Sequence, residues 1–337
     1  YLTDHRHVEW GLRLASGLLP YWQSRGHLLE GRQWLTPLLR LAGDSAPAEL
    51  RARATFALGT LVHSMGESGA VSIHRDQVLP IYRQLGDRRG IAISLNALAV
   101  CQRHEQNHAE ARASLEESLV IWRELGDPRT IARTLSNLAA IVLTDGDPVR
   151  ARELYQECRA MFQQAEDRPG AAWTFSHEAD AALEQGATAE ARGLYDAALA
   201  QFRSLGNSWG VGGTLLGLGQ LESKTGETAA AADYFRQALE VFAQVKDRRN
   251  AARVLEALAT VAAADGDAVR AVTLAGGAAA VRQAVGVPSL PKEQARLDRA
   301  LESVRLGPQA APAAAAWMTG WSMDVEELIA YARGAIT

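Results

Sequence analysis

Small and apolar residues recur along this chain at helical spacing, and the whole pattern repeats every forty residues. Each repeat contains two such runs, represented by Ile91, Leu95, Leu98 and Ala99, then by Ala111, Leu115, Leu119 and Trp122. Steps of three and four residues place these side chains on one face of an α-helix. No segment shows the apolar–polar alternation of a half-buried strand, so the sequence predicts an all-α fold.

The period stays constant from unit to unit. An aromatic residue falls at the same position of successive second helices, at Tyr82, Trp122, Phe162, Phe202 and Phe242. A helix pair cannot bury both of its apolar faces alone, whereas stacked pairs share one continuous core. We therefore expect residues 1–286 to form stacked hairpins near 4–42, 47–85, 88–125, 128–165, 168–205, 208–245 and 248–285.

Short polar connectors separate the predicted helices, as in residues 144–148 within a unit and the Leu-Gly-Asp triplet 125–127 between units. Glycine suits the left-handed residue that ends a helix, and aspartate suits the N-cap of the next helix. The pattern changes after residue 286. We expect residues 287–337 to form capping helices, the last of them capped by Ser322 or Asp324.

The glycine-rich stretch Asn207–Gln220 raises the question of a phosphate-binding loop. No strand precedes it and no Gly-Lys-Ser/Thr follows it, so both nucleotide-binding fingerprints fail in context. In the forty-residue frame, Gly212, Gly217 and Gly219 occupy positions that other units fill with alanine. We expect close helix packing there. We also expect a soft sixth unit, because glycine weakens a helix interior by about 0.8–1 kcal/mol relative to alanine.

The frame resembles the tetratricopeptide repeat, through positions such as Leu138, Ala139, Ala151, Tyr155 and Cys158. The usual repeat has about 34 residues, and the proline that closes its second helix is replaced here by Arg123, Gln163, Arg203 and Ala243. We expect the second helix to continue through the additional residues to the Leu-Gly-Asp turn. The resemblance implies a right-handed α-solenoid whose first helices line a concave groove.

Both ends of the chain are similar to the sensor region of bacterial STAND-class regulators, which are signal-transduction ATPases with numerous domains. The matching segments are Gly11–Leu35 and Ala313–Ala332. Forty-residue repeats of this type also resemble those of animal spindle-orientation adaptors. In the STAND family an NTPase module precedes the repeats, and a winged-helix or LuxR-type DNA-binding domain can accompany them. Since the chain opens at Tyr1 without methionine, we expect it to be part of a larger regulator.

The tetratricopeptide resemblance assigns five groove positions to each unit. In units two to four they include Arg53, His63, Asn96, Arg103, His104, Arg133 and Ser136, a basic patch in an acidic protein. In unit five they include Trp173, Ser176, Asp180 and Glu184. Arginine forks suit carboxylates and phosphates. We therefore predict a groove for a peptide, a partner protein or a small acidic effector; the alternative is that the arginines are simply solvated.

Unit five breaks its own frame at Glu178, which occupies a position filled elsewhere by Leu98, Leu138, Leu218 and Leu258. An unpaired buried carboxylate is costly. Glu178, next to His177, is therefore either a paired or protonated functional irregularity, or a residue that a local shift of the helix carries to solvent. The sequence leaves both interpretations open.

Charge and composition narrow the function. A net charge of −4 gives no basic surplus for direct nucleic-acid binding, and no apolar run reaches the roughly 18 residues of a membrane span. Cys101 and Cys158 have no disulfide or zinc spacing and indicate buried positions in a reducing cytoplasm. His104 and His108 straddle a helix break, which disfavours a metal site. Three tryptophans fit the core and cap of the first pair, namely Trp10, Trp22 and Trp34.

The sequence contains no catalytic nucleophile set and no cofactor motif. It predicts a non-enzymatic, cytoplasmic sensor region of a bacterial signalling ATPase or transcriptional regulator, without cofactor or metal. Ligand binding would shift an attached ATPase between closed and open states. The alternative is a stand-alone adaptor that joins proteins without switching.

Overall fold

Helices are the only regular elements in the computed structural model, which describes residues 5–25, 27–65, 67, 69–286, 289, 291–306 and 310–334. They are α1 (His5–Gly17), α2 (Leu19–Arg25), α3 (Leu28–Ala42), α4 (Ala48–Ser64), α5 (Ala70–Ser72), α6 (Leu79–Leu85), α7 (Arg88–His104), α8 (His108–Leu125), α9 (Pro128–Thr144), α10 (Pro148–Gln164), α11 (Arg168–Glu184), α12 (Thr188–Ser204), α13 (Ser208–Thr225), α14 (Thr228–Gln244), α15 (Arg248–Ala264), α16 (Ala268–Val285), α17 (Pro291–Leu306), α18 (Ala310–Ser322) and α19 (Val325–Arg333). A π-helical segment, Ile73–Val78, joins α5 to α6.

The chain forms two compact regions, residues 1–174 and 175–337, here called the N-terminal and C-terminal regions. In each region consecutive helices pack in pairs, as α7 does on α8 and α13 on α14. Each pair then packs on the next, as α8 does on α9 and α14 on α15. Both regions are therefore stacks of helical hairpins, which confirms the predicted fold class. The right-handed course and the division at residue 286 stay predictions, and residue 4 and residues 335–337 lie outside the described residues.

Positions that are equivalent in the forty-residue frame also form the hydrophobic core. Its equivalent aromatic residues are all buried, and so are the alanines Ala111, Ala151, Ala191, Ala231 and Ala271. Protein interiors are close-packed and tolerate little change in side-chain volume. A constant period therefore gives equivalent buried residues similar surroundings in successive units. The second helices run through to the predicted turns, ending at Leu125 in α8 and at Val285 in α16.

The predicted N-caps and left-handed C-terminal residues are present at the helix ends. The Asp127 carboxylate accepts the backbone N–H of Thr130 at 3.2 Å, and Asp247 accepts that of Asn250 at 2.9 Å. Left-handed residues end the second helices at Gly86, Gly126, Glu166, Gly206, Lys246 and Gly286. A second series ends the first helices at Gln106, Gly146, Gly186, Gly226 and Gly266. Three members of these series are not glycine and adopt positive φ at a steric cost.

The first two units depart from the regular frame. Only Trp22 of the three early tryptophans lies in the core, whereas Trp10 and Trp34 are on the surface. In unit two the second helix is divided by the π-helical segment, which the sequence does not predict. Pro80, in the first turn of α6, supplies the physical reason. Its ring would clash with the carbonyl of residue 76 in a continuous α-helix, and the wider turn relieves that clash.

Three helices follow unit seven, and all of them pack on the array. Helix α17 contacts α15, α18 contacts α16, and α19 contacts α14. The sequence predicts α17 and α19, and of its two candidate caps for α19 the structure has Asp324. The Asp324 side chain accepts the N–H of Glu327 at 2.8 Å, while the Glu327 carboxylate accepts the N–H of Asp324 at 2.8 Å. This reciprocal capping box fixes the start of the last helix.

Helix α18 is not predicted as a separate helix, and it packs on α16 with unusual closeness. A Cβ at Gly320 would collide with the backbone carbonyl of Thr273, and a Cβ at Gly276 would collide with that of Trp317. Both positions therefore exclude any side chain while α18 stays in place. Glycine makes this backbone approach possible because it has no Cβ.

Candidate functional site

The predicted groove positions lie along consecutive first helices, and we call the surface that they form within each region the first-helix face of that region. In the N-terminal region they come from α4, α7 and α9. The rings of His63 in α4 and His104 in α7 meet edge to face, with 4.6 Å between their centroids. The structure thus brings two predicted site residues of neighbouring units into direct contact.

Asn96 links α7 to α9 within the same face. Its side chain is buried, its Oδ1 accepts the Nδ2–H of Asn137 at 2.8 Å, and its own amide donates to the hydroxyl of Thr134 at 3.4 Å. Sequence analysis assigns the neighbouring Ser136 to the groove and misses Asn137. The signal was available, because Asn137 lies one turn after the groove position Arg133 on α9. Ser136 itself is half-buried.

Three arginines give the N-terminal region its predicted basic character. Arg53 and Arg133 are exposed, whereas Arg103 is half-buried, and burial lowers the pKa of its guanidinium. Among the residues that the structure describes, none of the three has a carboxylate within ion-pair distance. A guanidinium that is partly removed from water and not paired has an unused capacity for an anionic partner.

His74 is a buried titratable residue that sequence analysis misses. It lies in the π-helical segment, its ring packs edge-on against Phe56 with 5.2 Å between centroids, and a Cβ at Gly59 would lie 2.8 Å from its Nε2. Neither ring nitrogen has a hydrogen-bond partner in the part of the chain described. Burial, and then the neighbouring His63, lower the pKa of His74 to about 4, so the ring is neutral at ordinary pH. The available signal was a histidine at a position that holds Ser114 in the next unit and Leu154 and Leu194 in the two after it.

In the C-terminal region the acidic groove residues have partners. The Tyr195 hydroxyl donates to Asp180, and His177 Nδ1 lies 3.7 Å from the same carboxylate. Burial, and then the charge of Asp180, raise the pKa of Tyr195. Lys224 of α13 lies 3.8 Å from the Glu184 carboxylate and donates to a backbone carbonyl of α11 at 2.7 Å. The predicted acidic residues are therefore internal partners of this region.

The other two predicted groove residues of unit five are at least partly buried. Trp173 is half-buried and Ser176 is buried. Glu178 is only 2% exposed, so the interpretation in which the helix carries it to solvent is wrong. Its functional role stays a prediction.

Further along the C-terminal region, two groove positions of α15, Arg253 and Glu256, make arginine–carboxylate contacts. Arg253 of α15 donates through Nε and lies 2.9 Å from Glu293 of α17. Glu256 of α15 receives both Nε and Nη2 of Arg282 at 2.5 and 2.8 Å, and all four side chains are at most 30% exposed. A shallow cleft beside them is lined by Leu216, Gln220, Arg253, Glu256, Ala257, Thr260, Glu293 and Arg296.

The glycines of unit six pack tightly against aromatic rings. A Cβ at Gly212 would lie 2.9 Å from the Phe242 ring, one at Gly217 would lie 2.5 Å from Tyr195, and one at Gly219 would collide with Phe235. The expectation of close packing is confirmed. The idea of a soft unit stays a prediction, and these contacts show that alanine would not enter the three positions without a shift of the rings.

Other candidate chemistry is sparse. Cys101 and Cys158 are both free and buried, as expected, and burial raises the pKa of each thiol to about 12. His104 contacts His63, whereas His108 lies 2.7 Å from Asp145, so the two do not share a site. Within the described ranges, no group of three or more His, Cys, Asp or Glu side chains could hold a metal ion. Nor does any helix there have the length and apolarity needed to cross a membrane.

Comparison with known proteins detects tetratricopeptide repeats in the middle of the chain, within residues 90–204. The tetratricopeptide repeat family model matches residues 90–164 and, overlapping them, residues 130–204. No curated protein sequence matches the chain. The hairpin stacks have a tetratricopeptide-like fold.

Solved structures resemble the chain in fold at low sequence identity. A Rap protein complexed with competence and sporulation factor gives a TM-score of 0.61 at 11% identity, covering 98% of this chain and 90% of its own. A STAND protein with a tetratricopeptide repeat sensor from Pyrococcus horikoshii gives 0.57 at 13% identity, covering 92% of this chain and 50% of its own. Aspartyl phosphate phosphatase F from Bacillus subtilis gives 0.55 at 12% identity, covering 91% and 82%.

Proposed function

We propose that the chain is the non-catalytic, ligand-binding repeat region of a signalling regulator and that it binds a peptide or protein segment along a concave first-helix face. The observation that carries this proposal is contact between side chains of consecutive first helices. Such contacts join His63 to His104, Asn96 to Asn137 and Glu184 to Lys224, and a similar contact joins Arg253 to Glu293 of α17. Polar groups of successive repeats thus lie side by side, which suits a chain-like ligand.

The sensor role draws on the solved structures. One neighbour is a Rap protein in complex with competence and sporulation factor, and another is a STAND protein with a tetratricopeptide repeat sensor. By analogy, a ligand that prefers one arrangement of this chain would shift an attached ATPase module between states. The two free, buried thiols agree with the reducing cytoplasm that this role requires.

Selection from a display library of random dodecapeptides on the immobilised chain tests the proposal. We expect peptides that bind the wild-type chain and lose about tenfold in affinity for Asn96→Ala/Asn137→Ala, a loss of roughly 1.4 kcal/mol. The matched control is Gln163→Ala/Gln164→Ala, which removes two exposed amides from the second helix α10. Asn137→Ala alone, at a half-buried position, covers the case in which the double variant is unstable. Recovery of no peptide above background, or equal binding by all variants, would refute the proposal.

A further inference from the structure

One groove position carries arginine in both regions. Arg53, Arg133 and Arg253 lie at the same place in the forty-residue frame, and so does Glu293 of α17. Because the frame fixes the position of a side chain on its helix, the environment of one member shows what the others can reach. The four residues therefore form a series of equivalent sites within one molecule.

The C-terminal member of this series shows how such an arginine is satisfied. Nε and Nη2 of Arg253 lie 2.9 and 2.7 Å from Oε1 of Glu293, a carboxylate on α17, the helix that follows unit seven and packs on α15. The Nη1 group of Arg253 donates to the Asn250 amide oxygen at 3.2 Å. A carboxylate is thus the group that this position binds when the adjacent helix supplies one.

The N-terminal members of the series lack that carboxylate. The equivalent residue between Arg53 and Arg133 is Ile93, and none of the five groove positions in units two to four is acidic. Both arginines are exposed, and no described residue brings a carboxylate within ion-pair distance of them. The half-buried Arg103 lies on the same face and has no such partner either. The surface therefore combines unpaired guanidinium groups with an apolar side chain between them.

We propose that the N-terminal first-helix face binds an acidic peptide segment, whose Asp or Glu carboxylates pair with Arg53 and Arg133 as Glu293 pairs with Arg253. This inference rests on the proposed function and specifies the class of its ligand. Ile93 favours a peptide over a uniformly charged polyanion, because it offers an apolar contact between the two charges. The half-buried amide of Asn137 adds a donor and an acceptor that match those of a peptide backbone.

The peptide selection described above provides the first test. Peptides selected by the wild-type chain should be enriched in Asp and Glu, and those selected by Arg53→Glu/Arg133→Glu should be enriched in Lys and Arg. If peptides are selected without acidic enrichment, the ligand class is wrong while the proposed function stands. If no peptide is selected by either chain, the proposed function itself fails.

Fluorescence polarisation on the full chain gives the second test. The probe is a labelled dodecapeptide in which Glu alternates with Ala, and its twin carries Gln in place of Glu. We expect the Glu peptide to bind about tenfold more tightly than the twin, and to lose this advantage in Arg53→Ala/Arg133→Ala. It should keep the advantage in Arg123→Ala/Arg203→Ala, which removes two exposed arginines from second helices.

Equal binding of the two peptides, or an equal loss in both double variants, would overturn the assignment. Single-stranded RNA and inorganic phosphate serve as competitors. If either displaces the Glu peptide at a lower concentration than the unlabelled peptide does, the face is a general anion site rather than an acidic-peptide site. Both arginines are exposed, so circular dichroism should show unchanged helix content in each variant.

Discussion

The two regions of the molecule share one backbone frame and differ in how they treat charge. In the C-terminal region, the charges at groove positions have internal partners: Glu184 lies beside Lys224, Glu256 pairs with Arg282 of the second helix α16, and Arg253 pairs with Glu293. In the N-terminal region, the arginines at the groove positions have no carboxylate within ion-pair distance among the residues described. The charges at these groove positions are paired internally in one region, and in the other they are available to the proposed partner.

This difference means that charged residues contribute to folding stability in one region and are available for ligand binding in the other. A buried ion pair holds its own geometry, but removal of one partner leaves an uncompensated charge at high cost. An unpaired surface guanidinium contributes little to folding and is free for a ligand. We infer that the repeat frame supplies the fold in both regions, whereas the residues at the groove positions decide which region can bind.

The largest expected effect comes from breaking the buried pair of the C-terminal region. Arg282→Met leaves Glu256 uncompensated and should lower the free energy of unfolding by about 3–5 kcal/mol. The comparable change in the N-terminal region, Arg103→Met, should change it by less than about 1 kcal/mol, because no carboxylate loses its partner. Urea denaturation measures both. Equal losses in the two variants would contradict the contrast between the regions.

The N-terminal region has a buried group of another kind, His74, whose effect depends on pH. The pKa of His74 is lowered from 6.5 to about 4, so the unfolded chain binds a proton in that interval and the folded chain does not. Stability from this site is therefore complete above about pH 6.5 and falls as the pH drops toward 4, by on the order of 3 kcal/mol.

His74→Leu should remove this part of the pH dependence, measured as unfolding free energy at intervals between pH 7 and 4. The exposed His27 offers a matched control, because His27→Gln removes a histidine without changing the core. An identical slope in wild-type and His74→Leu chains would show that His74 is not protonated on unfolding.

A smaller effect on stability tests whether the glycines of unit six weaken its helix or are required by close packing. Gly217→Ala must displace the Tyr195 ring and strain its hydrogen bond to Asp180. Overpacking costs typically 1–3 kcal/mol, against a helix-propensity gain of about 1 kcal/mol, so we expect a net loss of about 1 kcal/mol. Gly193→Ala, at an exposed position of α12 where a Cβ meets nothing within 4 Å, should instead stabilise by about 1 kcal/mol. Thermal unfolding distinguishes the two signs.

The smallest expected change in stability concerns the left-handed residues that end second helices in both regions. Glu166 and Lys246 end second helices at φ of 54° and 58°, at a position where other units have glycine. Glu166→Gly and Lys246→Gly should each stabilise by about 0.5–1 kcal/mol, because relief of left-handed strain exceeds the added entropy of the unfolded chain. Similar gains in both regions, measured by urea denaturation, would show that the frame is equivalent in each. Opposite signs would show that it is not.

The backbone was largely predictable from the sequence, since caps, turns and buried aromatic residues recur at one fixed period. Asp127 and Asp247 cap helices as expected, and the aromatic series is buried throughout. The prediction fails where the frame is interrupted. Pro80 forces a π-helical segment that no periodicity signals, and α18 is an alanine-rich helix without an amphipathic pattern.

The candidate site was less predictable, because pairing depends on residues far apart in the sequence. A helical frame places Arg53 and Arg253 alike, but only the structure shows that Glu293 satisfies one of them. Similarly, the sequence marks Glu178 as irregular without showing that it is buried. Asn137 and His74 were accessible to comparison of equivalent positions, whereas the edge-to-face contact of His63 with His104 was not.

The backbone contact between α16 and α18 limits how this end of the chain can vary. Gly276 and Gly320 exclude even a methyl group from the space between the two helices. Random mutagenesis of these two codons, followed by selection for folded chains alone, should return glycine at both. Most other positions of α18 should accept many residues. The contact between the two helices would then appear as one invariant glycine in each of them.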